Sequence, residues 1–385
     1  MMPRWSRRIL FGDIDAMYAS SAIAANPTLA GQLVAVGSPP PRGIITAATY
    51  AVREYGVKAA MPTAHALRLC PGLILVPPDR ALYQRMHARL REVTDRLFPE
   101  TQWTSIDEFY ADTTKLQMRD PDPRVFGRAV KAAIFAATGL RCTIAFASGK
   151  TVAKVAADCH KPDGLAIIEP GTEAAFLAAR PARSLPGIGP KTAMALESRG
   201  IRTIADLLDP VFEAALRRMW GPRLAVLQEL AKGIDRDPVV PGRESKSLSH
   251  ETTFDEDTTD PGFLEHTLRG FLSELTHDLR LQGLAAGAFS VKLKDSTFTI
   301  TARQRRFPEP LNYDPPMWNA IQPALCGLIV PRTRYRLVGL SLTDLVPATE
   351  SLFDQRTTKA IAAMDAIIEK HGSNIIRLGG IPESQ

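Results

Sequence analysis

Thr104-Ser105-Ile106-Asp107-Glu108-Phe109-Tyr110-Ala111-Asp112 sets two acids side by side between a β-favouring run and a second strand-like run. Neighbouring side chains of a strand point to opposite faces, so Asp107 and Glu108 can share a target only at a strand end or tight turn. A third acid, Asp13 in Ile9-Leu10-Phe11-Gly12-Asp13-Ile14-Asp15-Ala16-Met17-Tyr18, also ends an apolar strand-like run. Three carboxylates converging from two strands repel one another unless divalent cations neutralise them. Two hard cations about 4 Å apart, each held by oxygen ligands, are the usual apparatus of in-line phosphoryl or nucleotidyl transfer. An Asp-Glu pair on its own is more often a solvated turn, so the surrounding sequence has to decide.

With 385 residues the chain is too long for one core and predicts about two to four domains. Hydrophobic residues make up 45% and charged residues 23%, an ordinary soluble composition. Lys+Arg exceed Asp+Glu by 47 to 41, a formal +6. That excess is compatible with a polyanion partner, and acids gathered at a metal site leave the remaining surface more basic. Cys70, Cys142, Cys159 and Cys326 lie far apart without a CxxC pair, which predicts reduced core thiols of a cytoplasmic protein, not zinc or a disulfide framework. Arg4, Arg7 and Arg8 precede an apolar stretch that Asp13 interrupts after four residues, so it does not read as a signal peptide. No 18-residue apolar run predicts a membrane span.

Five blocks occur in order: Asp13-Ile14-Asp15-Ala16-Met17-Tyr18-Ala19-Ser20; Thr49-Tyr50-Ala51-Val52-Arg53-Glu54-Tyr55-Gly56-Val57-Lys58 with Ala60-Met61-Pro62; Ser105-Ile106-Asp107-Glu108; Ala157-Asp158-Cys159-His160-Lys161-Pro162-Asp163-Gly164; and Leu185-Pro186-Gly187-Ile188-Gly189. Their order and spacing closely resemble the Y-family, or translesion, DNA polymerases, the bacterial ones in particular, from about Arg8 to Leu345. The resemblance implies an α+β multidomain fold, a right-hand polymerase. Its palm would span 1–15 and 79–168, its fingers 16–78 and its thumb 169–236, with a helix-hairpin-helix. A linker at 237–246, a ferredoxin-like βαββαβ little finger at 247–345 and a tail at 346–385 would follow. It implies template-directed DNA synthesis from a deoxynucleoside triphosphate (dNTP) on primer-template DNA, by a monomeric enzyme of low fidelity without proofreading.

Site residues carry over position by position. Asp13, Asp107 and Glu108 would be catalytic and hold two Mg²⁺ ions, which Mn²⁺ can replace, with the Ile14 backbone carbonyl as a further ligand. The family does not use the acid at the Asp15 position as a ligand. Tyr18 matches the steric gate, whose ring would collide with a 2′-hydroxyl. Tyr50, Arg53 and Lys161 match residues that bind the triphosphate, and a phenol donor and a planar guanidinium suit phosphate oxygens. Ile44 and Thr46 occupy the roof of the nascent base pair. Ala47 stands where many members carry Thr, so a phosphate contact is missing or moved.

Periodicity predicts helices over 81–98 and 126–137 and one from 150 to about 159, all packed on the sheet that carries the acids. Residues 16–78 read as a small helical and loop-rich unit, with 38–43 a turn-rich connection between two strands. Leu185–Thr192 reads as a helix-hairpin-helix turn whose Gly187 and Gly189 let backbone amides approach a DNA phosphate, with Lys191 adding charge. Pro222 suits the first position of a helix over 222–232, and the charged, Pro/Gly-bearing stretch 233–245 reads as linker. In the little finger Thr297, Thr299 and Thr301 alternate with Phe298 and Ile300 as a strand. The Arg303-Gln304-Arg305-Arg306 run offers Arg303, Arg305 and Arg306 to the duplex backbone. Glu350-Ser351-Leu352-Phe353 partly resembles the peptide that binds the bacterial β sliding clamp, with Leu352 and Phe353 as its apolar contacts and the usual leading Gln absent. Residues 358–371 read as a helix.

Three rivals share these features. A non-catalytic accessory built on the same fold would lose its acids, and this chain keeps all three. A helix-hairpin-helix scaffold tethered to the clamp would not extend a primer. A two-metal nuclease would release nucleotides with no triphosphate present and would not need Tyr18 or the Tyr50/Arg53 pair.

Overall fold

The computed structural model describes residues 5–242, 245–348, 363 and 365–367, and the chain divides into two compact units, Met1–Arg243 and Glu244–Gln385. The strands in chain order are β1 (Ile9–Ile14), β2 (Val34–Gly37), β3 (Ile45–Ala48), β4 (Ile74–Val76), β5 (Thr101–Trp103), β6 (Glu108–Asp112), β7 (Cys142–Ala147), β8 (Leu165–Ile167), β9 (Ser247–Thr258), β10 (Leu284–Asp295), β11 (Ile300–Leu311) and β12 (Tyr335–Pro347).

In the first unit β1 is the centre of a five-stranded sheet in the order β5-β6-β1-β7-β8, antiparallel to both neighbours. Both of its faces are covered, which is why its sequence is a continuous apolar run without alternation. Leu10 and Ile14, with Phe109, Ile144 and Phe146, meet the helices Arg80–Leu97 and Pro123–Thr138. Ile9 and Phe11, with Tyr110 and Ala145, meet the helix Lys150–His160. The first two helices start on side-chain caps, Asp79 accepting from the Leu82 N–H and Asp122 from the Arg124 N–H. The second ends at Gly139 with φ 72°, where a left-handed residue is needed. Ile134 is fully buried beneath the sheet, so Ile134→Ala removes about 2–5 kcal/mol. Gly12 has a steric reason: a Cβ there would lie 2.4 Å from Cζ of Phe109, the ring that covers this end of β1.

The core under Phe11 and Tyr110 continues through Leu185, Leu196, Leu207, Leu216 and Leu227 into the short helices Pro190–Glu197, Glu213–Trp220 and Arg223–Ala231. Pro222 caps the last of these from just outside, one residue short of the expected first position. The stretch read as linker is partly fastened down. Asp235 Oδ2 accepts from the backbone N–H and the hydroxyl of Thr151, each at 2.8 Å, capping the helix Lys150–His160. Lys150 reaches Asp237 at 3.1 Å, the Arg7 guanidinium donates to the Asp235 carbonyl at 2.6 Å, and Val239 is buried. Charge and proline content signalled loop correctly, but these acids have specific partners, so the segment up to Val240 is not free chain. The expected helical and loop-rich unit after β1 also contains a sheet, β3-β2-β4, with Ala35, Ile45, Val52 and Leu73 in its core.

The second unit follows the βαββαβ order, with the helices Pro261–Leu281 and Asp314–Cys326. Its sheet runs β11-β10-β12-β9, every neighbouring pair antiparallel. Thus β9 and β10 flank β12 while β11 and β12 flank β10, two interleaved split βαβ units. The expected strand over Thr297–Thr299 is a turn instead. Asp295 Oδ1 accepts from the N–H groups of Thr297 and Thr299, and Phe298 takes φ 69°, a local side-chain bond that outcompetes the alternating pattern. The basic run does not present one face. Arg303 and Arg305 stand opposite Val291 and Phe289, on the helix-covered side, and Gln304 opposite Ser290 on the other. Arg303 also donates to the Gly327 carbonyl at 3.2 Å, and Arg306 pairs with Asp344 at 2.9 Å. Of the expected helix over 358–371, residues 363 and 365–367 are described and helical. Asp365 accepts from the Arg280 guanidinium and from His277 Nδ1 at 2.8 Å. Leu352 and Phe353 lie outside the described residues.

Cys70 and Cys142 are buried, as expected, but Cys159 and Cys326 are exposed, near the outer ends of their helices. No helix among the described residues is long and apolar enough to cross a membrane.

Candidate active site

Asp13 and Glu108 are paired residues of neighbouring strands, β1 and β6. Directly opposite side chains share a face, here the face covered by the helix Lys150–His160. Glu108 is the first residue of β6 and Asp107 lies in the bend before it. The regular alternation therefore starts one residue too late to separate the two acids. The Ser105 hydroxyl shapes this bend, accepting from the Glu108 N–H at 3.0 Å and donating to Asp107 Oδ1 at 2.5 Å. The Asp107 carbonyl accepts from the Ile14 N–H at 3.0 Å, tying the bend to the end of β1.

A cavity of about 550 Å³ opens on these acids. Asp13, Ile14, Asp107, Glu108 and Lys161 line it together with Tyr18, Thr46, Ala47, Tyr50 and Arg53. Tyr18 rests on Tyr83, ring centroids 4.4 Å apart. The Arg53 guanidinium lies 4.3 Å from the centre of the Tyr50 ring and is braced by the Ala48 carbonyl at 3.0 Å. Ile44 is exposed next to β3, and Thr46 is exposed further along that strand. Gly187, with φ 95°, and Gly189 are exposed on the turn before the helix Pro190–Glu197, Lys191 is exposed in its first turn, and a Cβ at either glycine would meet open space. Lys191 and the two glycines do not line the acid cavity, and Arg303, Arg305 and Arg306 belong to the second unit.

Each acid already has a partner. Lys161 Nζ donates to Asp13 Oδ2 at 2.6 Å and to Asp158 at 2.9 Å, and Lys154 Nζ donates to Glu108 Oε1. Burial pushes the Asp13 carboxyl up to about 7 despite Lys161, and Asp107 and Glu108 add to the rise. Burial works against the Lys161 ammonium, but Asp13 and Asp158 outweigh it and hold that group above its ordinary range. The two shifts pull opposite ways on one contact. The 2.6 Å bond decides for a charged Lys161 facing a carboxylate reluctant to ionise. Among the described residues, no three His, Cys, Asp or Glu side chains converge closely enough to close around one ion. The acids line one cavity but each leans on its own lysine or serine.

The donor set nonetheless suits a hard cation: three carboxylates and a strand-end carbonyl, all oxygen. Burial is the largest cause of the raised Asp13 carboxyl, and a cation beside it favours the ionised form, as Lys161 does here.

Four residues around the site were given no role by the sequence. Lys154 and Asp158 precede Lys161 by seven and three residues, a spacing that puts them on one helix face. Asp15 is 5% exposed and holds Tyr50, Thr143 and the Asp163 N–H. His87, four residues after Tyr83 on one helix, holds the Ile106 carbonyl at 2.9 Å and stands edge-on to Trp103. Burial lowers the His87 imidazole below its usual range; a carbonyl can only accept, so in this contact Nδ1 carries the hydrogen.

Comparison with known proteins agrees with this architecture. A family model described as the impB/mucB/samB family matches residues 12–158, and the model of that family's C-terminal domain matches residues 245–355. A SAM-like helix-hairpin-helix tandem matches residues 180–217. DNA polymerase IV of Methanoculleus marisnigri is 36% identical over 352 residues, covering 89% of this chain and 96% of that protein. DNA polymerase IV of Gluconobacter oxydans is 33% identical over 349 residues, covering 91% and 98%. Among solved structures, a Y-family DNA polymerase chimera of Dbh and Dpo4 superposes with a TM-score of 0.80 at 24% identity over 89% of this chain and all of that one. A ternary complex of Dbh superposes at 0.65 with 25% identity, covering 87% and 98%. The chain belongs to the impB/mucB/samB family, the Y family of translesion DNA polymerases, and is a DNA-directed DNA polymerase.

Proposed function

We propose that the cavity transfers a nucleotide from a dNTP to a primer 3′-hydroxyl by the two-metal route. The observation that supports this most is the cross-strand pairing of Asp13 with Glu108 in a cavity that Tyr18, Tyr50 and Arg53 also line. Asp13 and Asp107 would hold both Mg²⁺ ions, Glu108 the one nearer the primer, and the Ile14 carbonyl would complete the set; Mn²⁺ can substitute. Bound there, the ions lower the pKa of the 3′-hydroxyl and neutralise the triphosphate and the leaving pyrophosphate. Tyr50, Arg53 and Lys161 orient the phosphates, which requires Lys161 to exchange Asp13 for a phosphate oxygen. Tyr18 meets the sugar and excludes a 2′-hydroxyl, and Ile44 and Thr46 roof the nascent pair.

In this reading residues 1–15 and 79–168 act as palm, 16–78 as fingers, 169–236 as thumb and 247–345 as little finger. Primer-template DNA lies against the exposed turn at Gly187 and Gly189 with Lys191 on the helix that follows, and Arg303, Arg305 and Arg306 are separate candidate phosphate contacts of the second unit, although they do not share one face. One solved relative is described as an insertion ternary complex of Dbh DNA polymerase, which supports DNA and dNTP as partners here. Low fidelity, no proofreading, a cytoplasmic setting and a clamp contact through Leu352 and Phe353 complete the proposal. The non-catalytic alternative is not favoured, since all three acids are kept. Primer extension tests it: Asp107→Ala with Glu108→Ala should lose at least about a thousandfold in rate, a few kcal/mol of transition-state stabilisation. Parental extension by that variant refutes the metal assignment.

A further inference from the structure

We infer that Asp15 is a positioning residue for the triphosphate, one buried carboxylate that holds both Tyr50 and the loop carrying Lys161. The inference rests on the reading of Tyr50 and Lys161 as triphosphate ligands. Asp15 follows β1 directly and is 5% exposed. Its Oδ1 accepts from the Tyr50 hydroxyl at 3.2 Å and the Thr143 hydroxyl at 3.0 Å, and its Oδ2 from the Asp163 N–H at 2.8 Å. Thr143 in turn accepts from the Gly164 N–H at 3.2 Å. Two consecutive amides of the Lys161–Gly164 loop therefore hang from this carboxylate, one directly and one through a hydroxyl. Lys161 leaves that loop two residues before Asp163, toward Asp13.

The residue type is dictated by the partners. All three groups pointing at Asp15 are donors, and an ionised carboxylate is an acceptor only. An amide in its place would turn an N–H toward one of them. The Tyr50 hydroxyl has a single proton, so it leaves Asp15 when a phosphate oxygen arrives, by rotation about its C–O bond. Its ring stays under Arg53, 4.3 Å away. Asp15 thus sets where the phenol and the ammonium wait and takes no part in the chemistry.

Steady-state single-nucleotide insertion tests this. Asp15→Asn keeps an acceptor for Tyr50 and Thr143 but sets an amide against the Asp163 N–H, so it releases the Lys161 loop. KM for the dNTP should rise roughly tenfold, with kcat within about twofold. Adding Asp15→Asn to Lys161→Met should raise KM no further than Lys161→Met alone, while adding it to Tyr50→Phe should multiply the two effects. Thr143→Val, which removes the bridge to Gly164, should shift KM in the same direction and stands in if Asp15→Asn does not fold. An unchanged KM in Asp15→Asn, a fall confined to kcat, or multiplication with Lys161→Met overturns the inference. If Lys161→Met alone leaves KM unchanged, the reading of Lys161 as a phosphate ligand is what fails.

Discussion

If Glu108 holds a metal ion as proposed, Lys154 competes with that ion, and removing Lys154 should tighten metal binding. Its ammonium donates to Glu108 Oε1, with both side chains about 25% exposed, and lies 4.9 Å from the centre of the Phe11 ring. An ion that recruits Glu108 must break this pair and then tolerate a nearby cation. Both effects carry the same sign. A solvent-exposed pair is worth about 0.2–1 kcal/mol. This one is mostly covered, so roughly 1–2 kcal/mol is reasonable, which converts to about a fivefold to thirtyfold fall in Kd. Methionine is the replacement of choice, since it keeps the alkyl stem against Phe11 and loses only the charge. The assay is an Mn²⁺ titration of the free enzyme followed by the electron paramagnetic resonance signal of unbound Mn²⁺, without DNA or nucleotide. Lys154→Arg keeps the charge and should stay within about twofold of the parent. Unchanged or weaker Mn²⁺ binding in Lys154→Met, with the fold intact by circular dichroism, would refute the argument that Lys154 stands where a cation is needed.

Other substitutions test other parts of the site. Tyr18→Ala opens the space above Tyr83 and should admit ribonucleotides; unchanged sugar selection in single-nucleotide insertion removes the gate role. His87→Ala frees the Ile106 carbonyl that holds the acid bend and takes an edge contact from Trp103. It should cost about 2 kcal/mol in urea unfolding and lower kcat by more than tenfold through misplaced acids, whereas a stability loss with parental kcat would make His87 a packing residue alone. Asp163→Asn keeps a residue type that tolerates φ 55° while deleting the charge that faces Lys131 and Arg141. Burial raises the Asp163 carboxyl, but those two cations outweigh it and hold it below the carboxylate range. The stabilisation is therefore present above the unfolded value near pH 4 and fades as pH falls through the lower folded value. Discounted for exposure, the variant should lose up to about 1 kcal/mol at pH 7, with the gap to the parent closing below about pH 4; a constant gap across that range contradicts the charge argument.

The sequence made the strands and helices around the acids readable because each is bounded by a strong local signal. The run ending in Asp13 is apolar without alternation, and the helices beside it carry a clear apolar stripe with Asp caps. Strand alternation also required a strand end or tight turn for Asp107 and Glu108 to share a target, and Asp107 lies in the bend before Glu108 opens β6. What stayed hidden depends on partners distant in the chain. Lys154 reads as an ordinary helix-surface lysine until β6 is seen to bring Glu108 beneath it. Asp15 looks like the spare acid of an Asp-x-Asp pair because its donors come from positions 50, 143 and 163. The Asp235 cap on Thr151 spans 84 residues, and no local rule reports it. The misread strand at Thr297–Thr299 is the opposite case, in which a local bond from Asp295 overruled a correct-looking pattern. The consequence for the site is physical. The acids come from strands and a strand end, which fix their backbones, while the cations that neutralise them come from one helix and the loop after it. Asp235 caps the start of that helix and Asp15 holds the loop at its end, so two acids outside the catalytic set fix where Lys154 and Lys161 stand. In the proposed mechanism, exchange of those lysines for metal and phosphate would then be a local event, needing side chains to move against backbones that the sheet holds.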